Sequence, residues 1–327
     1  MIITRTPLRI SLGGGGTDLR SCYERHGGFV VAAAITKYVY VGINTTFTGD
    51  YSIKYSELER TKRVEDIEHP IIRAAFELHD VQPSIEIVSL ADIPSGTGLG
   101  SSGAFTVGLL RAIYAHRREA VSATTLAEEA CHIEIECLGR SVGKQDPYVA
   151  AFGGLVCLEF GTDGALSVSP LMIPDETLHE LEDHLLMFFT GYERDADLML
   201  EDQRRGFERG DLAMIDNLRE IQRIGYEVRD VLEAGDTGRF GELMHEHWQL
   251  KQRRTPGMSN PVIDGWYELA LQNGATGGKL VGAGAGGFLL LYAPDPPVLR
   301  HAMTDAGLDE VRFSFDHDGS IVHLRDA

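Results

Sequence analysis

Alternation of apolar and polar positions marks the start of the chain. Residues 2–12 alternate in part, and "GGFVVAAAITKYVYVGINTTF" (27–47) is rich in Val, Ile, Thr and Tyr with period-two stretches, so both predict strands. "YSIKYSE" (51–57) predicts another strand. Residues 70–78 predict a helix with Pro70 in its first turn. "SIEIVSL" (84–90) then reads as a strand with Ile85, Ile87 and Ser89 on one face. Helical spacing of Phe105, Leu109, Ala112 and Ile113 predicts a buried helix beginning near Ser101. A further helix is expected over 122–138, with Thr124 or Thr125 near its start, and "GGLVCLEF" (153–160) as a strand. Long helical patterns fill 195–250, broken at Gly210-Asp211 and Gly235-Asp236, where turns are expected. "GGKLVGAGAGGFLLLYAP" (277–294) returns to strand, glycine loop, strand, and the end alternates helix with short strands. Strands lead and helices dominate the second half, an α+β pattern.

The stretch between the strand at 84–90 and the helix at Ser101 breaks this pattern. "IPSGTGLGSSGAF" (93–105) places Gly96, Gly98, Gly100 and Gly103 among Ser95, Ser101 and Ser102. Glycine costs conformational entropy on folding, so a cluster needs a reason. Strand, bare loop, buried helix is the arrangement of a phosphate cradle. Backbone N–H groups can point at one anion, and the helix start adds unpaired donors and a positive dipole end. A tight turn with ordinary capping would need one glycine, not this cluster. The loop is not a Walker A motif, because no Lys follows Gly100. It is not a dinucleotide fingerprint, because no βαβ series surrounds it.

Bulk properties narrow the partners. The formal net charge of −19 argues against nucleic acid and anionic membranes, yet leaves room for a small phosphorylated ligand in a local cationic pocket. The four cysteines show no CxxC pair and read as reduced thiols of a cytoplasmic protein. "MIITRTPLRISL" has no long apolar segment, so no signal peptide is expected, and no apolar run reaches membrane-span length. His245 and His247 are two apart on a helical pattern and do not share a face, which argues against a zinc site.

At "PSGTGLGSS" (94–102) the chain resembles the second motif of the galactokinase, homoserine kinase, mevalonate kinase and phosphomevalonate kinase superfamily. "TPLRISLGGGGTDL" (6–19) resembles the superfamily's first motif and "KLVGAGAGGFLLL" (279–291) its third. "EIECLGRSVGKQDPYVAAFGG" (134–154) resembles the segment carrying the catalytic Asp. The motifs occur in the family's order and span nearly the whole chain. The nearest subgroup likeness is to the D-glycero-D-manno-heptose 7-phosphate kinases, through "LGGGGTDL", "GKQDPYVAAFGG" and "HEHWQLKQRRTPGMSNPVID". One departure is visible: Gly15 and Gly16 stand where galactokinase- and mevalonate-type enzymes usually carry a Glu-His pair.

The resemblance implies a two-lobed fold with the active site between a strand-rich domain at 1–160 and a helix-rich domain at 161–327. It implies ATP and Mg²⁺, with Pro94, Gly96, Gly98, Leu99, Gly100, Ser101 and Ser102 around the nucleotide phosphates and Ser102 and Glu136 on the metal. Glu134, two residues from Glu136, is expected to point elsewhere on its helix. Asp146 is expected to take the acceptor's proton, although an Asp before "PYVAAF" also suits a helix cap. Arg9 is expected near the transferred phosphoryl or the acceptor oxygen, or else as a surface arginine at a strand end.

Gly15, Gly16, Thr17 and Asp18, with Gly284 and Gly286, are assigned to the sugar, although Thr17 and Asp18 also suit turn chemistry. Lys251, Arg253 and Arg254 form the tight basic cluster of an acidic chain. Lys251 and Arg254 are assigned to a phosphate on the sugar, against the plainer role of complementing a helix dipole. The leading expectation is an ATP-dependent kinase of a heptose 7-phosphate at its anomeric hydroxyl. A 1-kinase of an unphosphorylated fucose- or galactose-like sugar stands second, and a non-catalytic nucleotide or sugar sensor third. A small sugar or sugar phosphate is the expected partner, and a homodimer is left open.

Overall fold

The computed structural model describes residues 1–192, 205, 211–254, 257–282, 284 and 286–325. Two long strands, β1 (Ile2–Gly13) and β2 (Gly28–Thr45), pair antiparallel and form the spine of an eight-stranded sheet. β3 (Tyr51–Lys54), β4 (Leu58–Thr61) and β5 (Ile85–Ala91) extend one side, with β3 and β5 parallel. β2 is long enough to serve two neighbours on one edge. Residues 39–45 pair with β5, and residues 28–33 pair with β6 (Leu155–Phe160). β7 (Leu166–Pro170) follows β6 in the same sheet.

The helices that cover this sheet read as the sequence suggested. After α1 (Arg20–His26), α2 (Pro70–Leu78) begins at Pro70. α3 (Ser101–Arg117) buries Phe105, Leu109, Ala112 and Ile113. It also buries Gly103, Ala104 and Gly108 on its other faces, because it lies against β1, β2 and three helices at once. α4 (Ala123–Cys131) is capped by Ser122, whose Oγ accepts from the Thr125 amide at 3.0 Å. It gives way to a π-helical turn over His132–Cys137, and α5 (Gln145–Phe152) follows.

After α6 (Asp175–His184), a second, four-stranded sheet carries β8 (Leu185–Phe189), β9 (Gly277–Leu280), β10 (Phe288–Tyr292) and β11 (Asp309–Glu310), in the order β11-β8-β10-β9. α7 (Leu212–Glu233), α8 (Thr237–Arg254), α9 (Pro261–Gln272) and α10 (Pro296–Asp305) complete this half. Asp211 caps α7 by accepting from Ala213 and Met214, as the Gly-Asp turn suggested. The helical pattern expected over 195–210 falls, apart from Arg205, outside the described residues.

Three features depart from the expected division after residue 160. β7 stays on the first sheet, and the last strand, β12 (Ile321–Arg325), returns to pair with β1. α7 packs on β1 and β2. The sheets are therefore distinct, but the chain crosses back, and residue 160 is not a boundary in space. A strand run such as 321–325 carries no sequence sign of which sheet it will join. Among the described residues no helix is long and apolar enough to cross a membrane.

Candidate active site

The loop from β5 to α3 is shaped by glycines in the left-handed region. Gly96, Gly98 and Gly100 have φ of 78°, 84° and 77°. At Gly98 a Cβ would stand 2.6 Å from the Val281 carbonyl oxygen, because the turn after β9 lies directly on the loop. α3 starts from Gly100 without a side-chain cap, and the Ser101 hydroxyl beside it is buried with no partner among the described residues. Uncapped N–H groups and an orphaned hydroxyl at a helix start fit the oxygens of a phosphate chain.

β1 brings Arg9 beneath this loop. Its amide donates to Leu99 O at 3.0 Å, Nη1 donates to Gly98 O at 2.5 Å, and Nε donates to Asp146 Oδ1 at 2.7 Å. Arg9 is 4% exposed, so the surface-arginine alternative does not apply. Asp146 lies in the first turn of α5, but its carboxylate pairs with Arg9 and caps no helix. The approach depends on Gly103, where a Cβ would stand 2.9 Å from Asp146 Cβ.

Asp18 is buried beside this pair. Its Oδ1 accepts from the Gly16 amide at 3.0 Å and its Oδ2 from the Gln145 amide at 3.4 Å. Burial, and then the charge of Asp146, raise its pKa.

Ser102 Oγ donates to Glu134 Oε2 at 2.5 Å, and Arg140 Nη1 donates to both, at 2.8 and 3.2 Å. Glu134 is 2% exposed. Burial raises its pKa, against the lowering influence of Ser102 and Arg140. The expectation for Glu136 is corrected here. Its side chain is exposed and its Oε1 accepts from Arg20 at 2.7 Å. Helical periodicity explains the exchange: Ala127, Ala130, Cys131 and Glu134 follow the i, i+3, i+4, i+7 spacing of one face, and all four are buried.

The opposite wall is cationic. Lys251 and Arg254 on α8 are 5% and 8% exposed, while Arg253 is exposed. Lys251 Nζ is committed to backbone, donating to Leu280 O at 2.8 Å and Gly282 O at 2.5 Å. Lys279 on β9 donates to Leu12 O at 3.2 Å and reaches His247 Nδ1 at 3.3 Å. Burial, then the charge of Arg9, pushes Lys279 down to about 7.

These groups line one cavity of about 920 Å³, reached by Arg9, Gly15, Gly16, Asp18, Pro94, Gly96, Gly98, Gly100, Ser101, Ser102, Asp146, Lys251 and Arg254. Besides Glu136, four expected residues stand outside its lining. Leu99 turns its side chain into the core and offers its carbonyl to Arg9. The Thr17 hydroxyl donates to Gly14 O at 2.8 Å and accepts from the Phe29 amide at 3.1 Å, so it performs turn chemistry. Gly284 lies against Met258, and Gly286 against Tyr192.

Glu134, Arg140, His247 and Lys279 join the site without a sequence assignment to mark them. Lys279 had a readable signal: it is a lone charge in a glycine and apolar run, and every residue of β9 is buried. Arg140 had none, since it sits in a short polar loop.

Comparison with known proteins agrees with this geometry. The N-terminal domain of the GHMP kinases matches residues 67–154 and their C-terminal domain residues 228–307. D-glycero-alpha-D-manno-heptose 7-phosphate kinase of Campylobacter jejuni is 31% identical over 307 residues, covering 90% of each chain. A putative sugar kinase from Campylobacter jejuni superposes with a TM-score of 0.77 at 27% identity, covering 98% of this chain and 97% of that one. A D-glycero-D-manno-heptose 1-phosphate kinase from Bacteroides thetaiotaomicron shares the fold, with a TM-score of 0.81 over the whole of both chains at 23% identity. The chain belongs to the GHMP kinases and is an ATP-dependent sugar kinase.

Proposed function

We propose that the chain transfers the γ-phosphoryl group of ATP to the anomeric hydroxyl of D-glycero-D-manno-heptose 7-phosphate, giving the 1,7-bisphosphate. The observation that carries this reading is the position of Asp146. Arg9 holds its Oδ1 at 2.7 Å, between the glycine loop and the Asp18 end of the cavity. The 31% identity with a heptose 7-phosphate kinase supports the choice of sugar.

Phosphoryl transfer asks for positioning and charge stabilisation more than for covalent chemistry. The bare loop at Gly96–Gly100 and the start of α3 bind the nucleotide phosphates. Arg9 presents a fixed cation close to the loop and orients Asp146. Asp146 accepts the proton from the acceptor hydroxyl, and Asp18 orients a sugar hydroxyl from the Gly15-Gly16 turn. An anomeric hydroxyl is more acidic than an ordinary alcohol, so a carboxylate suffices as base. Ser102 Oγ and Glu134 are hard oxygen donors that would hold Mg²⁺, with the Arg140 guanidinium, which lies against both, giving way to the metal. Held there, Mg²⁺ would supply positive charge against the nucleotide phosphates. The free thiols, three of them buried, suit a reducing compartment, which we take to be the cytoplasm.

Asp146→Asn tests the reading, with heptose 7-phosphate and ATP followed by phosphate NMR. It keeps the shape and removes the base. The expected result is a kcat lower by roughly 10²–10⁴ with ATP affinity nearly unchanged. A near-normal kcat removes Asp146 from the proton transfer.

A further inference from the structure

Arg254 is the side chain in the cavity wall that nothing else explains. It is 8% exposed, yet Nε and Nη1 are buried and without a hydrogen-bond partner among the described residues. A guanidinium is always charged, and leaving its donors unmet in a dry site is costly. Its charged neighbours do not resolve this. Asp18, the nearby carboxyl, is already engaged by the Gly16 and Gln145 amides. Lys251 adds a second buried basic side chain, and Lys279 a third in the same lining. Burying several cations together is unfavourable unless an anion joins them.

The dipole of α8 does not account for the arrangement. Lys251 already satisfies carbonyls of β9 and the turn after it, while Arg254 bonds none of the described carbonyls. Two buried donors on different edges of one guanidinium call for an oxygen-rich anion with more than one acceptor atom, and a phosphate monoester is such a group. The chain's charge of −19 makes such a local concentration of positive charge necessary for any dianion that enters.

We infer that Arg254, backed by Lys251 and Lys279, is the subsite for a phosphate already carried by the acceptor sugar, at the end of the cavity near Asp18. This deepens the proposed function and rests on its reading of the acceptor. The subsite makes the enzyme selective for phosphorylated sugars, because an unphosphorylated one leaves the Arg254 donors unmet.

The test is calorimetric binding of D-glycero-D-manno-heptose 7-phosphate and of the same heptose without phosphate, to wild type and to Arg254→Met. Wild type is expected to prefer the phosphorylated sugar. Arg254→Met should weaken its binding about ten- to a hundredfold, and raise its KM alike, while the plain heptose, ATP and kcat change little. Arg254→Lys should recover part of the loss. Removing an unpaired buried cation should leave the melting temperature equal or higher, whereas loss of a structural residue lowers it. If Arg254→Met does not fold, Lys279→Met carries the same comparison, with the same selective loss expected. A preference that persists in the variants overturns the subsite and leaves the sugar-phosphate reading standing. A wild type that binds both sugars equally overturns that reading and the subsite with it.

Discussion

Glu134 holds its carboxylate where almost no water reaches, with Ser102 and Arg140 favouring its charge and Asp146 opposing it. A buried carboxylate against a hydroxyl at a phosphate loop has little structural purpose, since an apolar side chain would fill the place at lower cost. It is well placed to hold a divalent cation in common with a nucleotide. Glu134→Gln keeps the volume and an acceptor for Ser102 but loses the charge, so the Mg²⁺ concentration for half-maximal rate should rise about tenfold or more. Glu136→Gln, at an exposed pair with Arg20, should leave it unchanged. Mg²⁺ titration of the rate, and Mn²⁺ binding to the nucleotide complex by paramagnetic resonance, separate the two. The reverse pattern restores Glu136 as the ligand. At this scale much was legible: Arg9 and Asp146 could be named from motifs, and they meet at 2.7 Å. Glu134 was legible too, by counting seven residues from Ala127. Its opposite, Thr17, could not be settled by sequence, because a hydroxyl that serves a turn and one that serves a sugar look alike until its partners are known.

The two glycine loops, one after β5 and one after β9, meet backbone to backbone. A Cβ on Gly98 would stand 2.6 Å from Val281 O, and one on Gly282 would stand 2.5 Å from Gly98 Cα. Gly98 therefore has two reasons to lack a side chain, its φ of 84° and this contact. Gly98→Val should displace the loop from the β9 turn. ATP affinity is expected to fall at least about tenfold, with a stability loss of about 1–3 kcal/mol from the strained backbone. Calorimetry with ATP and urea unfolding measure the two. Unchanged nucleotide affinity would show that the cradle does not depend on this loop's shape. The loops themselves were visible in the sequence as glycine clusters between a strand and the next element. Their mutual contact was not, since it depends on how two loops about 180 residues apart in the chain come together. The same limit hid the return of β12 to β1.

For the whole molecule the decisive contrast is between a strongly acidic exterior and a cationic cavity wall. Arg9, His247, Lys251, Arg254 and Lys279 all line the cavity. Composition alone suggested only that some local patch must exist, and pointed to "KQRR"; the fold recruited Arg9 and Lys279 from strands far away. Mutual repulsion and burial act together there. His247 and Lys251 are pushed well below their ordinary values, and Lys279 to about 7. For Lys279, whose ordinary value is 10.5, the unfolded chain keeps a proton that the folded one has shed between about pH 7 and 10.5. In that window stability should therefore rise with pH, and below about 7 this contribution should be constant. A bound dianion reverses the balance by favouring the ammonium, so binding at pH 8 should draw in a proton. Calorimetry of heptose 7-phosphate binding in two buffers of different ionisation heat measures this directly. Uptake of up to about one proton is expected for wild type, and a clear reduction for Lys279→Met, while ATP binding alone should show much less. Sugar-phosphate affinity should correspondingly weaken as pH rises above 7, by at most about tenfold per unit for one proton. Binding heats that do not depend on the buffer would mean that Lys279 stays in one protonation state throughout, and that the wall is charged before the substrate arrives.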